Sequence, residues 1–296
     1  MWFIVAVLSA VLFGTAGLLM KISQMQNGSI SHLLVGLYAS GSAGFLINLL
    51  FHSPTGWDHA ALWIGGLAVG LGSAWGNLVF MKALNYGPAS LTSPLTNMNI
   101  VLVIGLSAFW YGETFGIAEL TGIALLLAAV VLLSIRGKEP LSIAEKRWFL
   151  LVALATLLFT FRNGGLKVTE ELGLANTQVL LIGYVLSLVW FIATSIDRRP
   201  RGTRPALDPK AALSEARHAA RVGLRWGLAA GAFSYGGLQL YAFALELGKA
   251  GIVAPIFATN GLVTALGSIV LFRERLTRLQ AFALACLFAG LVCVRL

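Results

Sequence analysis

Charge is what this chain has least of. Only 11% of its 296 residues are charged, against about 25% in an average soluble protein, and that deficit excludes a cytosolic enzyme, a disordered tail and a nucleic-acid-binding domain. Cysteine is almost absent. Cys286 and Cys293 are the only two, and at 1.5 Å per residue on one helix they stand about 10 Å apart, too far to bridge. A disulfide-built secreted scaffold is therefore excluded, and the pair reads as small apolar packing residues. The four histidines, His32, His52, His59 and His218, are scattered. There is no zinc-type cluster, no nucleotide-binding loop and no pair of buried carboxylates, so neither an enzyme nor a cofactor is expected. No basic segment precedes the apolar stretch Met1 to Met20, and Lys21 follows it. A cleavable signal would carry its charge first, so this stretch reads as a spanning helix.

What the chain has instead is long apolar runs. Hydrophobic residues make up 58% and mean hydropathy is +0.84. A spanning helix needs about 20 mostly apolar residues, and ten such runs are present, near 2–22, 31–51, 61–83, 90–110, 115–135, 148–168, 175–196, 224–245, 250–271 and 277–295. The expected class is an all-α integral membrane protein with ten transmembrane helices. The lipid bilayer and a small molecule are its expected partners, nucleic acid is not, and a monomer or homodimer is the expected state. Two loops have substance, Arg136 to Arg147 and the basic loop 197–222. Within the second, Asp208-Pro209 reads as an N-cap followed by proline at the first helical position. Lys210 to Val222 would then form a short separate helix on the headgroups, a solvated basic connector beside anionic lipid in preference to a docking site for a specific partner.

The net charge of +9 has a direction. Loops joining each odd span to the next even one hold most of the basic residues, and Lys167, Lys249 and Arg295 fall on the other face. Positive loops face the cytoplasm, so the expectation is a multi-pass protein of the inner (plasma) membrane with both termini outside.

The sequence also repeats itself. At an offset of 161, Gly70, Ser73 and Gly76 fall on Gly231, Ser234 and Gly237; Pro94 falls on Pro255, Asn99 on Asn260, Ser107 on Ser268 and Glu113 on Glu274. Upstream the offset is 146, pairing Leu12-Phe13 with Leu158-Phe159, Lys21 with Lys167 and Tyr38 with Tyr184. Apolar matches arise by composition, but non-apolar matches held in one register do not. The expected organisation is a first five-helix repeat at 1–137, a linker at 138–147 and a second repeat at 148–296. Five spans is an odd number, so the second half would insert upside down, giving a five-plus-five inverted repeat. In that plan a central site near the midplane is exposed to one side and then the other.

These features resemble the EamA-type transporters of the drug/metabolite transporter superfamily. The resemblance covers nearly the whole chain. It rests on the duplicated spans and on the paired stretches Gly87-Pro88-Ala89-Ser90-Leu91-Thr92-Ser93-Pro94 and Gly248-Lys249-Ala250-Gly251-Ile252-Val253-Ala254-Pro255, each running on to Glu113 or Glu274. It implies a metabolite exporter or exchanger with a cavity lined mainly by helices one, three, four, six, eight and nine. Members often begin with basic residues, implying cytoplasmic termini, and this chain does not.

Charge buried in a membrane is costly and calls for a reason. No Asp or Glu falls at mid-span, which disfavours a proton-coupled exporter of lipophilic cations. Arg162 does fall inside the sixth span, about 9 Å from its expected end near Val168. A guanidinium keeps its charge and offers a fork for a carboxylate or phosphate. It reads as an anchor for an anionic group, or as an arginine that snorkels or bonds Asn163 and backbone carbonyls. Around it the expected site takes Asn163, Trp75 and Asn77 from the sixth and third helices, Tyr235, Gln239 and Tyr241 from the eighth, and Asn97 and Thr259. Pro94 and Pro255 are expected as flex points, with Asn99 and Asn260 in structural roles beside the carbonyls those prolines free. Gly70, Ser73 and Gly76, with Gly231, Ser234 and Gly237, read as packing seams. The expected function is a secondary transporter, an exporter of small metabolites such as amino acids or other zwitterionic or anionic compounds. The alternative is a lipid-linked sugar flippase or drug exporter on the same scaffold.

Overall fold

The computed structural model describes residues 1–52, 57–83, 86, 96–134, 147–196, 209–264, 267 and 278–295. Among them all regular structure is helical. In chain order the helices are α1 (Trp2–Met25), α2 (Ile30–His52), α3 (Ala60–Ala83), α4 (Asn99–Trp110), α5 (Ile117–Ser134), α6 (Arg147–Glu171), α7 (Asn176–Ile196), α8 (Pro209–Leu247), α9 (Ala250–Ala258) and α10 (Arg278–Arg295). Six of them, α1, α2, α3, α6, α7 and α8, are long and apolar enough to cross a membrane. Asn99–Trp110, Ile117–Ala129 and Ala250–Thr264 are shorter apolar helices. A helix satisfies most of its own backbone groups, which is what a hydrocarbon environment demands.

The basic connector differs from expectation. Residues from Pro209 do start a helix, but it does not stop at Val222. It continues as one 39-residue helix to Leu247. At 1.5 Å per residue that is about 58 Å, nearly twice a hydrocarbon core of about 30 Å, so its first turns form a stalk beyond the membrane. The stalk is pinned where it meets α1 and α2: the Ser29 N–H donates to the Ala219 carbonyl at 2.9 Å, and Trp226 Nε1 donates to Gln26 Oε1 at 2.8 Å.

Packing pairs the elements. α8 lies against α1 and α2, α3 lies against α6 and α7, α5 against α10, and α4 against α9. Contacts recur at the sequence offsets found above. Tyr38 Oη meets Ser73 Oγ at 3.1 Å, and Tyr184 Oη meets Ser234 Oγ at 2.7 Å. A methyl group on Gly76 would touch the Phe159 ring at 2.7 Å, and one on Gly237 would touch Phe13 Cβ at 2.8 Å. Gly70 faces Gly183 so closely that its added Cβ would lie 2.8 Å from the Gly183 Cα. Small residues let backbones meet where no hydrophobic driving force separates helix from lipid.

Two helices break at equivalent places. Met98 is a turn residue between helical Thr96-Asn97 and α4, and Thr259 is a turn residue between α9 and the helical residues Asn260 to Thr264. Side chains also bond the carbonyls at the breaks. Asn99 Nδ2 donates to the Thr96 carbonyl at 2.7 Å, Asn260 Nδ2 to the Phe257 carbonyl at 2.6 Å, and Thr259 Oγ1 to the Ile256 carbonyl at 2.6 Å. Pro255 lies inside α9, one turn before the break. Pro94 lies outside the described residues, as do the boundary 138–146 and Asp208.

Candidate functional site

Arg162 lies inside α6, which runs on to Glu171, about 13 Å along the helix from that end. Its residue is 6% exposed. The guanidinium carbon lies over the Phe159 ring at 4.7 Å and the Phe13 ring at 5.1 Å. Gly76 and Gly237, which allow those two rings to seat against α3 and α8, therefore shape the walls of the site. A buried cation over aromatic faces gains more than an exposed one.

A chain of amides fixes the arginine from the other side. Arg162 Nε donates to Asn163 Oδ1 at 3.0 Å. Asn163 Nδ2 donates to Asn99 Oδ1 at 2.9 Å, and Asn99 closes the chain on the Thr96 carbonyl. The expected structural residue Asn99 is thus two bonds from the cation, and the break before α4 is tied to it. Among the described residues this Nε bond is the only hydrogen bond of the guanidinium, and no carboxylate pairs with it.

Three buried tyrosines, Tyr184, Tyr38 and Tyr241, lie within electrostatic reach of Arg162. Tyr38 and Tyr184 pack edge to face at 5.1 Å. Asn77 Nδ2 donates to Tyr38 Oη at 3.0 Å, so Asn77 meets the site through Tyr38. Tyr241 stacks on Phe257 with centroids 4.3 Å apart, and Phe257 meets Phe13 at 5.1 Å. The Tyr241 hydroxyl is buried and has no hydrogen-bond partner.

The remaining expected residues are placed elsewhere. Trp75 is 41% exposed and packs on Trp190 at 5.8 Å. Tyr235 accepts from Asn48 Nδ2 at 3.3 Å and meets Phe45 edge to face. Gln239 Nε2 donates to Thr177 Oγ1 at 2.8 Å. Thr259 turns its hydroxyl onto its own backbone, and Asn97 lies beside Gly261. The structure brings together Arg162, Asn163, Asn99, Asn77 and Tyr241, and adds Tyr38, Tyr184, Phe13 and Phe159. Those four were visible in the sequence only as matches between the halves.

A second polar cluster closes one end of the bundle. Lys167 Nζ pairs with Glu171 at 2.6 Å, Glu170 at 2.9 Å and Glu113 at 4.0 Å. Glu113 also accepts from the N–H groups of Ala250 and Gly251, each at 3.0 Å. Its carboxylate thereby caps the N-terminus of α9, where unpaired donors and the helix dipole favour negative charge. Beside it Lys249 donates to the Thr114 carbonyl at 2.9 Å and pairs with Glu119 at 3.1 Å. Among the described residues no group of His, Cys, Asp and Glu is arranged to hold a metal.

A family model described as the EamA-like transporter family matches residues 1–135 and 146–296. None of the curated proteins compared matches the sequence. A crystal structure of another protein superposes over 100% of this chain and 98% of its own, with a TM-score of 0.76 at 14% identity. That likeness establishes a shared fold across the full length.

Proposed function

The chain belongs to the EamA-like transporter family, and from that membership we propose a secondary active transporter that exports small anionic or zwitterionic metabolites by alternating access. The observation that carries the proposal is Arg162: a permanent cation inside an apolar helix, 6% exposed, with no carboxylate paired to it among the described residues. An unpaired buried charge is expensive, and such residues mark substrate pathways. A carboxylate or phosphate supplies the missing partner, and the guanidinium nitrogens, which make no hydrogen bond other than that of Nε among the described residues, are the donors it would meet.

Alternating access is supported by the likeness of the two halves. The family model matches in two segments that part near the expected boundary at 138–147. Equivalent hydrogen bonds, equivalent glycine contacts and equivalent helix breaks recur in both. Two interrupted helices at the centre of a duplicated bundle are the plan by which transporters build a midplane site. Arg162 is enclosed here, so loading requires one half to rock against the other. The orientation that fits the charge bias puts the α8 stalk and the end of α1 in the cytoplasm, with both termini outside, in the inner (plasma) membrane. The protein works as a monomer or homodimer, and no ATP-hydrolysis motif occurs in the sequence, so ion or solute gradients drive it.

Flux in proteoliposomes tests this. Arg162→Ala is expected to insert and fold, as judged by monodisperse elution, and to lose transport of every anionic substrate that wild type carries. Unchanged flux would remove Arg162 from the site.

A further inference from the structure

We infer that the substrate held at Arg162 carries one net negative charge and no ammonium group, so that the site selects a 2-hydroxy acid over the 2-amino acid with the same side chain. The inference rests on the anion-anchoring reading above and sharpens it.

Charge balance comes first. Among the described residues the groups around the guanidinium are neutral: Asn163 accepts its one hydrogen bond, Phe13 and Phe159 lie against it, and Tyr241, Tyr38 and Tyr184 are within electrostatic reach. Along α6 the next acids are Glu170 and Glu171, more than two turns away and both paired to Lys167. In the sequence every one of the 12 acidic residues lies in a loop or near the end of an apolar run. A bound monoanion leaves the site neutral. A zwitterion brings its own positive charge and leaves the site as positive as it was when empty, in a medium where an uncompensated charge is disfavoured.

Hydrogen-bond supply points the same way. An ammonium group needs about three acceptors. Among the described residues each acceptor of the amide chain already takes a bond, so an ammonium would have to share them: Asn163 Oδ1 takes Arg162, Asn99 Oδ1 takes Asn163, the Thr96 carbonyl takes Asn99, and Tyr38 Oη takes Asn77. The Phe13 and Phe159 faces, which attract cations, already hold the guanidinium. Among the described tyrosines within electrostatic reach of Arg162, the Tyr241 hydroxyl is the one that is buried and unpartnered. One hydroxyl suits another hydroxyl or a carboxylate oxygen, each of which exchanges a single bond with it. It does not suit three donors.

The test uses matched acids on the full-length protein in lipid nanodiscs and proteoliposomes at pH 7: lactate against alanine, 2-hydroxy-4-methylpentanoate against leucine, and 3-phenyllactate against phenylalanine. Each pair differs only in hydroxyl against ammonium. Thermal stabilisation and inhibition of flux are read for each. For the side chain that fits best, the hydroxy acid is expected to act at a concentration lower by about tenfold or more, one unmet hydrogen-bonding group being worth that much. Arg162→Gln is expected to abolish the advantage, and Tyr241→Phe to weaken the hydroxy acid with no effect on elution. An amino acid that matches or beats its hydroxy partner, with Arg162→Gln abolishing both, overturns the inference and leaves the anion anchor standing. If no member of any pair, nor inorganic phosphate, binds wild type, the anchor reading falls and the inference with it.

Discussion

Replacing Gly72 with alanine tests whether the α3–α6 seam sets the position of Arg162. A Cβ built on Gly72 lies 2.5 Å from the Leu158 carbonyl oxygen and 2.7 Å from the Arg162 backbone nitrogen, whereas ordinary contact begins at 3.4 Å. Both neighbours are helix backbone and cannot swing aside, so α6 must retreat by on the order of 1 Å, at a cost of about 1–3 kcal/mol for overpacking. Alanine's better helix propensity returns up to about 1 kcal/mol. Gly105→Ala isolates that second effect, because its Cβ meets nothing within 4 Å. Gly105→Ala is expected to be neutral or stabilising by up to about 1 kcal/mol, with Gly72→Ala lower than it by the overpacking cost. Denaturant unfolding in detergent micelles measures the difference, and anion binding measures displacement of the guanidinium from Asn163 and the two phenylalanine rings. If Gly72→Ala is as stable as Gly105→Ala and binds anions like wild type, the seam does not hold Arg162 in place.

Three further expectations concern other contacts. Tyr38→Phe strips partners from both Ser73 and Asn77, and Tyr184→Phe strips only Ser234; both lower the unfolding midpoint, Tyr38→Phe by more, with about 1–3 kcal/mol for each buried group left unpaired. Equal midpoints for wild type and Tyr38→Phe would show that the hydroxyl contributes nothing. Glu113→Ala removes the acceptor for the Ala250 and Gly251 N–H groups, destabilising the start of α9 by about 1–2 kcal/mol; hydrogen exchange at those two amides should quicken while that of α2 stays constant. The double change Arg217→Gln with Arg221→Gln alters only exposed stalk positions and should leave stability within about 0.5 kcal/mol, read as an unchanged thermal midpoint.

Membrane helices were legible because hydrocarbon imposes length and composition at once: the long spans begin and end within a few residues of their expected limits. The α8 stalk was not. No proline lies between Lys210 and Leu247, and Gly223, which follows the expected stop at Val222 as a C-cap glycine would, instead lets the continuing helix pack on Ser29, beside the Ser29 N–H bond to the Ala219 carbonyl. Arg162 and Asn163 stood out because charge in an apolar run is conspicuous. Their neighbours sorted by helical phase, at about 100° per residue. Asn77 is four residues from Ser73 and shares its face toward Tyr38, while Trp75, two residues from each, points away to Trp190. Tyr241 is seven residues from Ser234 and lies on that inner face, whereas Tyr235 and Gln239, four apart, look toward Asn48 and Thr177. The aromatic walls were missed because Phe13 and Phe159 lie far from one another in sequence and an apolar run gives no sign of which phenylalanine meets a cation.

Equilibrium binding of a monovalent organic anion to purified wild type, Arg162→Lys and Arg162→Gln, each first shown to unfold cooperatively, probes the buried guanidinium most directly. Saturable binding to wild type is expected, weakened by about tenfold or more in the lysine variant, which lacks the planar fork, and absent in the glutamine variant. Equal affinity in all three would mean that the anion sits elsewhere and that Arg162 serves only to hold α6 to α4.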